Sequence, residues 1–110
     1  MNQINKSEGG VILVIQDFER LAHFQDRFIS VGISPRNAIL SELINFRFES
    51  NNQLIILDSQ IISITTKTEI NLFRKLCFNY LIVVALGDHC DVENIVEFFR
   101  LGVADVILPG

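Results

Sequence analysis

Three uninterrupted apolar runs set the strongest limit on how this chain can fold. They cover residues 11–15, 54–57 and 81–86. Runs of this length, unlike alternating patterns, are typical of strands that are buried on both faces of a parallel sheet. Segments with helical spacing separate the runs. The sequence therefore predicts right-handed βαβ crossovers and an α/β fold with an open, doubly wound parallel sheet.

The segment between the first two runs predicts two helices. The first follows Asp17, which we expect to cap it, and ends at Gly32. Its expected buried face is Phe18, Leu21, Phe24 and Phe28. Ile33 is predicted to form a short second strand, and Ser34 with Pro35 is typical of an N-cap followed by proline at the first helical position. The second helix would bury Ile39, Leu43 and Phe46.

The second half of the chain predicts two more helices and a last strand. Residues 61–66 are rich in β-branched side chains, which disfavour a helix. A helical period then returns with Ile70, Phe73 and Cys77. Asp91 is expected to cap the fourth helix and Gly102 to end it, before a strand at residues 106–108. The predicted apolar stripe of the fourth helix is Val92, Ile95, Val96 and Phe99.

Composition limits the class of protein. The 110 residues, 49% of them hydrophobic, suffice for one domain with its own core, which we assign to residues 11–110 after a polar lead-in at residues 1–10. The net charge is −4 and the nine Lys and Arg are scattered, which argues against direct contact with nucleic acid. No apolar run approaches the roughly 20 residues that cross a membrane, and no signal peptide is recognisable. We therefore expect a cytoplasmic protein.

Two further features concern partners and thiols. The mean hydropathy of +0.37 is high for a water-soluble domain of this size. Uncovered apolar surface usually marks a contact with another chain or domain, so a partner is expected. Cys77 and Cys90 have neither C-x-x-C spacing nor a matching pair of histidines, and both are interpreted as reduced thiols.

Chemistry is expected where the strands end, because the carboxyl ends of parallel strands lie along one edge of the sheet. Asp17 follows the first run and Asp58 ends the second. If these strands are neighbours, the two carboxylates converge and could hold Mg²⁺, and Asp58 could accept a phosphoryl group. Simpler interpretations stay open, since Asp17 can be only a helix cap and Asp58 can close an Asx-turn. Asp88, which follows the third run, is either a third carboxylate or a solvated loop residue.

The third run is also followed by His89 and Cys90. Adjacent residues seldom aim their side chains at each other, and no third group is evident to orient them. A surface loop is the interpretation we favour over a Cys-His catalytic pair, and the chain is not expected to be an enzyme.

The order and spacing of residues 11–17, 54–58 and 100–108 resemble the receiver domain of bacterial two-component response regulators, the CheY-like family. The resemblance implies a flavodoxin-like, three-layer αβα sheet of order 2-1-3-4-5. It places Asp58 at the position of the phosphorylated aspartate and Asp17 at that of a Mg²⁺ ligand.

The chain departs from the family pattern at four switch positions. Gln16 replaces one of two adjacent acidic residues, Gly87 replaces the Thr or Ser after strand four, Val106 replaces an aromatic residue, and Pro109 replaces a Lys. The family's fifth helix is also missing. By resemblance this implies a pseudo-receiver that binds Mg²⁺ weakly and forms the N-terminal part of a longer regulator.

The leading hypothesis is a receiver-like domain that regulates an attached output domain, such as one for transcription, through protein contacts and with little or no phosphorylation. A homodimer is expected. Its contact face would include Val106 and whichever of Phe98 and Phe99 is exposed. The first alternative is a working phosphorelay, in which a histidine kinase phosphorylates Asp58 while Asp17 and Glu19 or Asp88 hold Mg²⁺. The second is a binding domain of flavodoxin or anti-sigma-antagonist type, which the missing phosphate loop and the absence of a suitably placed Ser disfavour.

Overall fold

A computed structural model describes residues 10–45, 53–88 and 90–109. It contains a five-stranded parallel sheet of order β2-β1-β3-β4-β5, which confirms the predicted fold class and strand order. The elements in chain order are β1 (Val11–Val14), α1 (Phe18–Ser30), β2 (Arg36–Asn37), α2 (Leu40–Asn45), β3 (Leu54–Asp58), α3 (Lys67–Asn79), β4 (Leu81–Ala85), α4 (Val92–Arg100) and β5 (Asp105–Ile107). No helix among these residues is long and apolar enough to cross a membrane.

The sheet is buried on both faces, as continuous apolar strands require. Residues 12 and 14 of β1, with 55 and 57 of β3, face the side on which α2, α3 and α4 pack. Residues 13 and 15, with 56 of β3, face α1. Because all neighbouring strands are parallel, the carboxyl ends of the five strands lie along one edge.

Local signals set both ends of α1. The Asp17 carboxylate accepts a hydrogen bond from the backbone N–H of Glu19 at 2.9 Å, which confirms the predicted cap. Gly32 ends the helix with φ +85°, a conformation that favours glycine. The prediction of a strand at Ile33 is wrong, because its N–H donates to the carbonyl of Phe28 at 2.9 Å and so closes the helix end.

The apolar face of α1 is shorter than predicted. Leu21, Phe24 and Phe28 pack against the sheet. Phe18 is 84% exposed, which contradicts its assignment to the buried face. It is the first residue of the helix and lies past the end of β1, so it does not reach the sheet.

The predicted helix start at Ser34 and Pro35 is also wrong. Strand β2 forms directly after them and pairs with β1, and the Ala38 N–H still donates to the carbonyl of Leu13 at 3.0 Å. These sheet hydrogen bonds keep the chain extended, so α2 begins only at Leu40. Leu43 is buried as predicted and Ile39 is exposed. Phe46 lies outside the described residues, as do residues 1–9 of the predicted lead-in.

The third and fourth helices occur where they were predicted. Thr66 caps α3, which buries Phe73 as expected. The Asp91 carboxylate caps α4 by accepting from the N–H of Asn94 at 3.1 Å. Gly102 ends α4 with φ +110°. Both predicted helix-end signals of α4 are thus confirmed.

The predicted apolar stripe of α4 is wrong, because the helix is rotated about its axis so that a different set of residues faces the core. Phe98 is 4% exposed and packs beside Phe73 with ring centroids 6.1 Å apart. Of the predicted stripe only Ile95 packs against the core. The other three positions are exposed: Val92, Val96 and Phe99. The helix carries two apolar stripes, and the one centred on Phe98 faces the sheet.

Candidate functional site

Asp58 ends β3 and is the charged residue that the fold buries most deeply among those described. Its exposure is 1%. Oδ1 accepts a hydrogen bond from the N–H of Gln60 at 3.0 Å and so caps a short 3₁₀ helix, Ser59–Ile61. This is the Asx-turn that the sequence left open as an alternative. One carboxylate oxygen of Asp58 is therefore already hydrogen-bonded to the backbone that follows β3.

The second oxygen of Asp58 is bound by Arg20, a residue that the sequence analysis missed. Arg20 lies in the first turn of α1, and its Nε is 3.2 Å from Asp58 Oδ2. Its Nη2 also donates to the carbonyl oxygens of Ala85 at 3.3 Å and Leu86 at 3.4 Å. One guanidinium therefore joins α1 to the ends of β3 and β4. Its position three residues after Asp17, on a helix that starts at this edge, was the available signal.

The energetics of burial explain why Asp58 needs this partner. An isolated carboxylate is costly to bury, whereas one that is paired and hydrogen-bonded is tolerated. Removing one member of a buried ion pair typically costs about 3–5 kcal/mol. Arg20 is 23% exposed, so water screens the pair in part, and we place its value at or below the lower end of that range.

Gly87 lies two residues after the end of β4 and is buried and closely packed. Its N–H donates to Ser59 Oγ at 2.9 Å. A Cβ at this position would lie 3.3 Å from Nε2 of Gln60, so even a small side chain would need Gln60 to shift. The position supplies a backbone donor to the turn after β3 and carries no hydroxyl.

The carboxylates at this edge do not assemble into a metal site. Asp17 and Asp88 are exposed, and Asp17 uses one oxygen as the helix cap. Gln16 is exposed and uncharged. Within residues 10–45, 53–88 and 90–109, no three His, Cys, Asp or Glu side chains come together to hold a metal ion. Since both oxygens of Asp58 already have partners, the residues present do not fit the Mg²⁺ ion that the family resemblance implies.

A groove of about 300 Å³ lies beside Arg20, between α1 and the ends of β4 and β5. Pro109, where the family resemblance implies a lysine, lines this groove. The basic side chains of the groove come from α1 instead: Arg20, His23 and Arg27. The described chain thus brings positive charge to this edge from the first helix and not from the segment after β5.

The two thiols are free and unactivated. Burial raises the pKa of Cys77 to about 11. Partial burial and the nearby charge of Asp91 raise the pKa of Cys90. Both are therefore protonated at neutral pH and are weak nucleophiles. His89 lies outside the described residues.

The predicted contact residues divide between core and surface. Phe98 is buried and so is not available to a partner, which leaves Phe99 as the exposed member of the pair. Phe99 is 46% exposed, and Val106 is half-buried. We define the exposed stripe of α4 as Val92, Val96 and Phe99, which are apolar side chains on one side of this helix.

Comparison with known proteins finds similarity in structure only. No model of a known protein family matches the sequence, and no curated protein matches it. A response regulator from Thermotoga maritima is 17% identical, with a TM-score of 0.69 over 93% of this chain and 84% of that chain. A receiver domain protein (CheY-like) from Methanospirillum hungatei JF-1 is 19% identical, with a TM-score of 0.63 over 93% and 82%.

A third solved structure has the same fold. It is a response regulator protein from Burkholderia pseudomallei with a phosphorylated aspartic acid, a calcium ion and citrate. It is 21% identical, with a TM-score of 0.55 over 90% of this chain and 59% of that chain. At such identities the likeness is one of fold. Together with the strand order, it shows that this chain has the fold of the CheY-like response regulator receiver domains.

Proposed function

We propose that this domain is a receiver-like signalling module that acts through contacts with other proteins and takes up little or no phosphate. The observation that carries the proposal is the state of the Asp58 carboxylate. It is 1% exposed, and its two oxygens are bonded to the Gln60 N–H and to Arg20. For phosphoryl transfer, a free and accessible carboxylate oxygen must attack the phosphorus atom of the donor. Asp58 offers no such oxygen unless Arg20 moves.

The surroundings of Asp58 would also hold a phosphoryl group poorly. An aspartyl phosphate carries about −1.5 to −2 charges at neutral pH, where the free carboxylate carries one. The single positive charge of Arg20, which balances the carboxylate in the present ion pair, would offset only part of that charge. Gly87 has no hydroxyl and Pro109 no ammonium to bind the added oxygens. The product would therefore be less stable here than in a receiver with those groups.

The contact surface in this proposal is the exposed stripe of α4, together with Val106 of β5. Val92, Val96 and Phe99 are 72%, 45% and 46% exposed. Three apolar side chains on one helix face are typical of a helix that packs against a partner. The partner would be a second copy of the chain or an attached output domain, for instance one that regulates transcription.

The test is intact-mass analysis after incubation with Mg²⁺ and acetyl phosphate. We expect no adduct on the wild-type protein, while a phosphorylatable response regulator treated in parallel gains one. The Asp58→Asn variant controls for labelling elsewhere. A phosphoryl adduct on the wild type that is absent from Asp58→Asn would contradict the proposal.

That contrary result would support the second candidate, a phosphorelay receiver that a histidine kinase phosphorylates on Asp58. The observation in its favour is the position of Asp58 at the carboxyl end of β3, together with the phosphorylated aspartic acid in the Burkholderia pseudomallei protein of the same fold. In that case Arg20 would have to leave Asp58 before each transfer, and replacing Arg20 would speed labelling.

A further inference from the structure

We infer that Arg20 is a resident cation that occupies the place of a metal ion at the carboxyl end of the sheet. The inference concerns the site of the proposed function and rests on that proposal's placement of Asp58 at the acceptor position. It goes beyond that proposal by naming the group that replaces the metal ion. The experiment that tests it uses no phosphodonor.

The oxygen atoms that Arg20 contacts are of the types that a hard cation binds. Its guanidinium binds one carboxylate oxygen, of Asp58, and two backbone carbonyl oxygens, of Ala85 and Leu86, at 3.2–3.4 Å. Carboxylate and carbonyl oxygens are the ligands preferred by Mg²⁺ and Ca²⁺. The planar guanidinium carries five N–H donors and can serve several such oxygens at once. A cation and the oxygens that attract it are therefore both supplied by the chain.

The rest of the edge supports this assignment. The Asp17 carboxylate caps α1, and Gln16 brings no charge. With Arg20 in place, a divalent ion would have to displace a buried, hydrogen-bonded partner from Asp58 and would find no second buried carboxylate among the described residues. The charge of the buried Asp58 is then balanced at any metal concentration. We therefore expect that Mg²⁺ does not bind at this edge of the sheet.

The experiment measures the midpoint of thermal unfolding, Tm, with and without cations at matched ionic strength. For the wild type we expect no change in Tm on adding about 10 mM MgCl₂ or CaCl₂. This concentration is roughly tenfold above the Kd of a site with millimolar affinity, so binding to such a site would raise Tm. For Arg20→Ala we expect Tm to fall by roughly 8 °C or more, because a buried carboxylate loses its partner. Arg27→Ala, which changes an exposed arginine of the same helix, should have little effect.

The discriminating result is rescue. In Arg20→Ala, Mg²⁺ or about 20 mM guanidinium chloride should raise Tm by about 5 °C or more, because either ion can bind the vacated oxygens. The general denaturing action of guanidinium at this concentration lowers Tm by less than about 1 °C. In Arg20→Ala with Asp58→Asn the rescue should disappear, since the carboxylate is gone.

Three results would overturn the inference: stabilisation of the wild type by Mg²⁺ that depends on Asp58, an unchanged Tm in Arg20→Ala, or no rescue of Arg20→Ala by either ion. If Arg20→Ala does not fold, Arg20→Lys takes its place. An ammonium can replace the charge but not the forked hydrogen bonds, so this variant should be less stable than the wild type and equally insensitive to Mg²⁺. Phosphoryl labelling of the wild type would refute the proposed function and leave these measurements valid.

Discussion

Gly32 and Gly102 end α1 and α4 with the same backbone geometry and different surroundings. Their φ angles are +85° and +110°. In each case the following residue donates its N–H to a carbonyl in the last turn of the helix. A Cβ on Gly32 would meet no atom within 4 Å, whereas one on Gly102 would lie 3.1 Å from Cβ of Cys77. A Cβ at Gly32 would therefore cause backbone strain alone, whereas a Cβ at Gly102 would cause both backbone strain and steric overlap.

We predict that alanine is tolerated better at Gly32 than at Gly102. Gly32→Ala should lower the free energy of unfolding by about 1–2 kcal/mol, the usual cost of a left-handed conformation for a residue with a Cβ. Gly102→Ala should lose roughly 1–3 kcal/mol more, because Cβ of Cys77 is fixed to the backbone of α3 and cannot swing away. Urea unfolding of both variants measures the difference. Equal losses would show that α3 shifts freely.

Residues that act through local contacts could be predicted from the sequence, and the central ion pair could not. Asp17, Asp91 and Gly102 each form bonds within a few positions, so the order of residue types was sufficient. Arg20 and Asp58 are 38 positions apart, and their contact depends on which strands are neighbours. Asp58 was identified because it ends an apolar run and by the family resemblance, whereas neither of these pointed to Arg20.

At the scale of elements, α3 begins with a reciprocal network of hydrogen bonds. Thr66 Oγ1 accepts from the N–H of Glu69 at 3.1 Å, and Glu69 Oε1 accepts from the N–H groups of Thr65 and Thr66, each at 3.1 Å. Hydrogen bonds from Ser63, Thr66 and Thr65 lower the pKa of Glu69 from 4.5 to about 2. The folded state thus favours the ionised carboxylate.

This shift predicts an acid-dependent contribution of Glu69 to stability. A carboxyl whose pKa is lowered on folding stabilises the protein above the pKa of the unfolded chain, 4.5, and the contribution is lost as the pH falls towards about 2. The wild type should therefore exceed Glu69→Gln in stability at pH 6, and the difference should shrink between pH 4.5 and 2. Urea unfolding across this range measures it, with Glu93→Gln at the first turn of α4 as the control for net charge. A difference that stays constant with pH would refute the assignment.

The rotation of α4 shows where sequence patterns stop being decisive for an element. Its apolar residues form two overlapping helical series, one through Ile95 and Phe98 and the other through Val92, Val96 and Phe99. Each series has acceptable spacing, so periodicity alone could not choose between them. The contact of Phe98 with Phe73 on the neighbouring α3 decides it, and that contact requires the assembled sheet.

At the scale of the molecule, the apolar runs predicted an open parallel sheet and the family resemblance implied its strand order, while neither predicted the distribution of apolar surface. In the part of the chain that the structure describes, α2, α3 and α4 pack on one face of the sheet and α1 packs on the other. The high mean hydropathy predicted exposed apolar residues without locating them. Several lie on the helices, among them the stripe of α4 and Phe78 of α3, which is 88% exposed.

A symmetric pair of α4 helices would cover the stripe and satisfy the charges beside it. In an antiparallel arrangement centred on Val96, this residue would lie near its counterpart at the two-fold axis, and Arg100 would approach Glu93 of the second copy. The two charges are opposite, so the pairing is favourable in both halves of the interface. Within one chain Arg100 is 3.8 Å from Glu97, an exposed pair that stabilises little and can rearrange.

We therefore predict a dimer that depends on Val96. Val96→Asp places an unpaired carboxylate at the centre of the interface and should weaken association at least about tenfold, equivalent to about 1.4 kcal/mol. Phe78→Asp makes the same change of charge on an exposed residue of α3 and should leave association unchanged. Sedimentation velocity over a range of protein concentrations measures both, and circular dichroism checks that each variant is folded. If the wild type is monomeric at all concentrations, or if both variants dissociate alike, α4 is not the dimer interface, and its apolar stripe would have to be assigned to an attached output domain instead.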